Sequence, residues 1–304
     1  MKKFIAQIFL FLILLSASAF WVFSNVDGTS DQYYLRLATP KQSALIIGVS
    51  KSAQGLQPKV FNEVLNRNDM FNFSFNAFIS PFGATYLESI KNKLKEDTKD
   101  GLFVITFDAW SLGSNTEDPN DSKNFREVDL CLSSSFVSSN PNIPYLVNHY
   151  DKKYIDIFKK SKKTLLLHED GWMEVNVAMD SIARERRLNN SIKHYHKLYV
   201  PDWKTSSLRF KYLEKTIDFL KNHGEVYLVR LPVHERLLEL ENNVTPDLDS
   251  RIQVICENFN VPYLNYADSS SNYKYTDGIH LGKNSGARIS KQVAEWIKES
   301  KNEK

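Results

Sequence analysis

"ALIIGVSKSAQGLQP", residues 44–58, runs from an unbroken apolar stretch into a glycine, a serine and a lysine. Four consecutive apolar residues suit a strand buried on both faces, as in a parallel sheet, and the small polar residues after them mark a turn into a following segment. Gly48 permits an unusual backbone angle or the close approach of neighbouring chain. Ser50 therefore sits just past the first strand, the end at which an open parallel sheet gathers its chemistry. By itself the serine reads equally as a turn or helix-capping residue and as a hydroxyl that needs a base to become a nucleophile.

Outward from this stretch, apolar runs alternate with longer amphipathic segments, which predicts an α/β fold with a parallel sheet covered by helices. Strands are expected at residues 44–47, 71–75, 102–107, 163–167, 225–231 and 261–264, and helices at 81–96, 206–222, 248–258 and 285–300. The rhythm fails between residues 110 and 160, where "SLGSNTEDPNDSKNF" and "LSSSFVSSNPNIP" are rich in turn formers, and again over 168–201. Both segments are too long for simple connections and read as insertions. "FNFSFNAF" alternates apolar and polar residues as a half-buried strand requires, so its aromatics are core.

At the beginning of the chain, "MKK" precedes an apolar run through Phe23 that is long enough to cross a hydrocarbon core as a helix. Ala17-Ser18-Ala19 resembles a signal cleavage site, but the run continues past it through Phe20–Phe23, as in an uncleaved anchor. Residues 1–27 are thus expected to be a membrane anchor, or else a cleaved signal, with residues 28–304 forming one domain beyond the membrane. Charge narrows the partners. With 39 basic and 36 acidic side chains the net charge is only +3, which gives no support to a nucleic-acid partner. "KKSKK" at residues 159–163 reads as a solvated face. Cys131 and Cys256 are far apart and lack metal-type spacing, so a disulfide is permitted but not required.

The base that Ser50 needs is offered 230 residues on, in "YTDGIHLGKNSGARIS", where Asp277 and His280 precede the last amphipathic segment. A short loop at this spacing can turn both side chains to one side, the carboxylate orienting the imidazole. An Asp-x-x-His alone is a weak signal; its place after the last strand, opposite a Gly-x-Ser after the first, gives it weight.

Taken together, Gly48-Val49-Ser50 and Asp277-Gly278-Ile279-His280 resemble the SGNH/GDSL hydrolase family, in particular its membrane-anchored bacterial branch. The resemblance runs from about Ser43 to Trp296, specific at both ends and loose in the middle. It implies a three-layer α/β/α sandwich of flavodoxin-like type, with Ser50 as nucleophile, His280 as general base and Asp277 as its partner. It also implies an oxyanion hole built from the Ser50 N–H, a glycine after the second strand and an asparagine after the third. Here Ala77 stands in the glycine position, preceded by Asn76, and a backbone N–H still donates from alanine. Asp108 stands in the asparagine position, and an ionised carboxylate has no proton to donate. Asp108 is then either held protonated, or occupied elsewhere, as in capping the next turn, or replaced as donor by Asn76.

In the middle of the chain, "EVYLVRLPVHERLLELE" ends a buried strand with Arg230, His234 and Arg236 at its mouth, and Arg230 is a candidate for an anionic part of a substrate or for a structural ion pair. Trp172 in "HEDGW" is a candidate sugar-stacking wall or a core residue. His194 and His196, two apart beside lysines, do not make a metal site. These residues lead to an exported serine esterase or O-acyltransferase that needs no metal or cofactor, acting on an acyl ester of a cell-envelope or extracellular glycan. The alternative is a non-catalytic envelope protein that keeps the fold for binding or assembly.

Overall fold

The computed structural model describes residues 1–76, 79–128, 132, 137–159 and 164–302. In chain order it begins with α1 (Lys2–Phe23), α2 (Tyr34–Ala38), β1 (Ala44–Gly48), α3 (Ser50–Gly55), α4 (Pro58–Leu65), β2 (Met70–Ser74), α5 (Ala84–Lys93) and β3 (Gly101–Thr106). The middle third adds β4 (Gly113–Ser114), α6 (Ile143–Asn148), β5 (Leu165–Leu167), β6 (Met173–Val175), α7 (Ser181–Leu198) and β7 (Lys204–Thr205). The remainder is α8 (Ser207–Lys221), β8 (Gly224–Arg230), α9 (Glu235–Val244), α10 (Leu248–Phe259), β9 (Tyr263–Asn265) and α11 (Lys283–Asn302).

Five strands form one parallel sheet in the order β2-β1-β3-β8-β9. The chain winds outward from β1 in both directions, so the crevice between the ends of β1 and β3 is the topological switch point, where turns diverge and leave room for a ligand. Alternation along the buried strands separates two cores. Leu45 and Ile47 of β1 face the layer that holds Tyr86 of α5 and Leu213 and Ile217 of α8. Ala44 and Ile46 face Phe61 of α4 and Ile289, Val293 and Ile297 of α11. Those last three stand at four-residue steps on one stripe of α11, and each buried side chain contributes roughly 1.5–3 kcal/mol. Helices on both faces of a parallel sheet make the α/β/α sandwich.

One expected strand is displaced. Leu165–Leu167 does not join the central sheet but pairs antiparallel with Met173–Val175, in register Leu167↔Met173. A short apolar run carries no record of its neighbour, and here the turn at Gly171 folds it back on itself; Gly171 has φ +81° and lies against the Asn72 backbone. The first insertion is tied by β4 to β7, just beyond the end of the second. The second insertion carries the long helix α7, begun by Asp180, whose side chain accepts from the Ala183 N–H.

α1 is long and apolar enough to cross a membrane, and none of it is buried in the protein. Its junction with the domain is firmly packed. Val26, Tyr34 and Leu37 enter the core, and the fully buried Arg36 donates to the carbonyls of Gln32, Asn72 and Gly171.

Candidate active site

β1 stops at Gly48 for a steric reason. A Cβ there would lie 2.0 Å from Thr106 Oγ1 at the end of β3 and 2.3 Å from Ser52 Oγ in α3, so only glycine lets these three elements converge. Val49 is extended, and its carbonyl receives the Ser52 and Ala53 N–H groups as α3 begins. Ser50 is thereby the first helical residue, at the rim of the switch-point crevice.

The second half of the site is the turn between Tyr275 and Leu281, which are bridged antiparallel. Gly278 sits at φ +91°, a region that penalises any side chain, and its carbonyl accepts from the His234 N–H. Asp277 closes the turn with Oδ1, accepting from the N–H groups of Ile279 (3.0 Å) and His280 (2.9 Å). Its other oxygen, Oδ2, is 2.8 Å from His280 Nδ1. His280 Nε2 in turn lies 2.9 Å from Ser50 Oγ.

The carboxylate fixes the proton of the neutral imidazole on Nδ1, so Nε2 is left to accept the Ser50 hydroxyl proton. Burial alone would raise the Asp277 carboxyl. The charge of a protonated His280, its hydrogen bond and the two N–H donors overcome that effect and hold Asp277 well below the usual carboxylate range. Asp277 consequently stays ionised and stabilises an imidazolium when one forms.

Lys51, beside the serine, points the other way into the protein. Its ammonium is buried between Asp108 Oδ2, 3.0 Å away, and Glu241 of α9. Burial pulls the lysine down, but the two carboxylates outweigh it and raise it, so the ammonium stays charged. The chain of charges continues from Glu241 to Arg230 and from Arg230 to Asp249. No spacing rule pairs Lys51 with a residue 190 positions away, and sequence reasoning missed both it and Glu241.

For three candidates these contacts favour the structural one of the two roles the sequence left open. Asp108 is no oxyanion donor: Oδ2 is paired with Lys51, and Oδ1 accepts from the Ser111 N–H at 2.7 Å, capping the turn after β3. Arg230 is no substrate ligand, because it is 3 % exposed and committed to Glu241, Asn242 and Asp249. Trp172 offers no open stacking wall. Its indole N–H donates to the Gln54 carbonyl, and His168 stacks on the ring at 4.6 Å. His168 and Lys283 both pair with Glu174, which fastens this segment to the start of α11.

Of the remaining candidates, Ala77 lies outside the described residues, as does Cys131. Asn76 follows β2 and donates its amide to the Tyr33 hydroxyl. It helps to line a cavity of about 370 Å³ with Tyr33, Tyr145, His149, Leu165 and Met173. Ser50 and His280 are not among the residues that line this cavity. Cys256 is buried in α10, and burial pushes its thiol up to about 12, which makes it inert.

No protein-family model matches this chain, and no curated protein is significantly similar to it.

Proposed function

We propose that the protein is a serine-dependent acyl-transfer enzyme of SGNH/GDSL hydrolase type. The observation that carries this reading is the unbroken hydrogen-bond chain Ser50–His280–Asp277, assembled from opposite ends of the sequence at the sheet's switch point. Ser50 Oγ attacks the carbonyl carbon of an ester while its proton passes to His280 Nε2. The C–O bond to the alcohol then breaks, and the imidazolium returns the proton to the departing oxygen. The acyl group is left on Ser50, and water or a second hydroxyl removes it by the same steps in reverse. The Ser50 N–H at the start of α3 is an oxyanion donor in this scheme, with Ala77 as its expected companion.

The substrate class follows from location. α1 anchors the chain in a membrane, and the basic Lys2 and Lys3 ahead of it favour a domain on the non-cytoplasmic side. An O-acyl ester of a cell-envelope or extracellular glycan is the substrate to try first, with either hydrolysis or transfer to another hydroxyl as outcome. The intact triad weighs against a purely binding role.

The test uses the full chain in detergent. It should hydrolyse a short-chain nitrophenyl ester, and a fluorophosphonate should label Ser50 alone among its serines. Ser50→Ala and His280→Ala should each lower the rate by roughly 10⁴-fold or more. Unchanged turnover in Ser50→Ala, with the label on another residue, would overturn the proposal.

A further inference from the structure

Large apolar side chains that remain exposed are not scattered evenly. After α1, six of the eleven among the described residues fall between positions 143 and 165. Ile143 and Val147 are 44 % and 60 % exposed and stand one turn apart on the same face of α6. Ile155 and Phe158, 60 % and 39 % exposed, follow in the 3-10 turn Tyr154–Phe158. Tyr154 joins the two pieces through its hydroxyl, which donates to the Leu146 carbonyl at 3.0 Å. Lys153 is exposed between them, with Asp151 and with Lys152, whose ammonium donates to the Ser30 carbonyl at 2.6 Å.

The same turn receives the end of α1. Trp21 stacks on Phe158 at 5.3 Å between centroids, and Phe23 meets Tyr154 edge-on at 5.2 Å. A helix that crosses a bilayer must finish at headgroup depth, where tryptophan and tyrosine favour the interface. Whatever packs on its last turn is at that depth too. An apolar patch of this kind with flanking lysines is the composition that beds into the boundary between headgroups and acyl chains.

We infer that the face carrying Ile143, Val147, Ile155 and Phe158 lies on the lipid surface of the membrane that α1 spans, with these side chains inserted among the headgroups. The domain thus rests on the bilayer instead of standing clear of it. The inference depends on α1 as a membrane span and is independent of the acyl-transfer chemistry.

Spin labels can decide it. In the full chain carrying Cys131→Ser and Cys256→Ala, single cysteines are placed at Val147, Ile155, Leu12 within α1 and Val254 on α10. The chains are reconstituted into phosphatidylcholine–phosphatidylglycerol vesicles, and accessibility to oxygen and to a water-soluble nickel complex is measured, with circular dichroism checking each fold. Labels at 147 and 155 are expected to fall between Leu12 and Val254, several-fold less open to nickel than Val254 and more open to oxygen. Nickel accessibility at 147 and 155 equal to that at 254, with Leu12 still in lipid, would overturn the bedded face alone. Dipolar broadening at 155 that disappears on dilution with unlabelled chain would assign the patch to a second copy and also overturn it. A nickel-accessible Leu12 would remove the anchor and the inference with it.

Discussion

Asp277 does two jobs with one carboxylate: Oδ1 closes its own turn and Oδ2 holds His280. Asp277→Asn should keep much of the turn but supply an N–H where His280 needs an acceptor, leaving the imidazole in the wrong tautomer. In a nitrophenyl ester assay kcat should fall by about 10³–10⁴-fold, with KM little changed. The three triad residues were legible because their pattern is local, a glycine two before the serine and a carboxylate three before the histidine, and because one motif follows the first strand and the other the last. For Asp108, Arg230 and Trp172 the sequence could not choose between a structural and a ligand-facing role, for the opposite reason. What occupies them is Lys51, Glu241, Asp249 and the Gln54 carbonyl, which only folding brings near.

The elements around the site are locked by charge as well as by apolar packing. Lys51 ties the start of α3 to the end of β3 through Asp108 and to α9 through Glu241. Lys51→Met would leave Asp108 buried without a cation and Glu241 with Arg230 alone, and urea unfolding should show a loss of about 3–5 kcal/mol. Adding Asp108→Asn to that variant should recover part of the loss by removing one stranded charge. The central strands and the long helices α8, α10 and α11 were readable from periodicity because their burial is strong and sustained. α2, α3 and α6 have only five or six residues each, too few for a period to stand out. β5 misled because three leucines suit any buried edge.

For the molecule as a whole, Lys93 gives a handle on stability. Its ammonium is fully buried at the end of α5, donating to the Thr39 side chain and to the carbonyls of Thr39 and Val137, over the Phe71 ring. Burial pulls it down to about 7. The unfolded chain keeps the proton up to the ordinary lysine value near about 10.4, so between these two values it binds more protons than the folded state. Stability should therefore rise with pH from about 7 towards 10, as the folded protein sheds a charge it holds at a cost. Melting curves across that range should show the rise in the wild type, and Lys93→Met should flatten it.

The packed junction between α1 and the domain has a consequence for reach. With Val26, Tyr34, Leu37 and Arg36 all interred, there is no slack tether on which the domain could swing outward. If α1 spans a membrane and the proposed activity holds, an enzyme mounted in this way would work at one altitude, so a long polymer would be modified only along the portion that passes through a thin shell above the lipid. Lengthening the joint with a flexible spacer would widen that shell, and the pattern of acyl groups along the polymer would record the change like marks against a ruler.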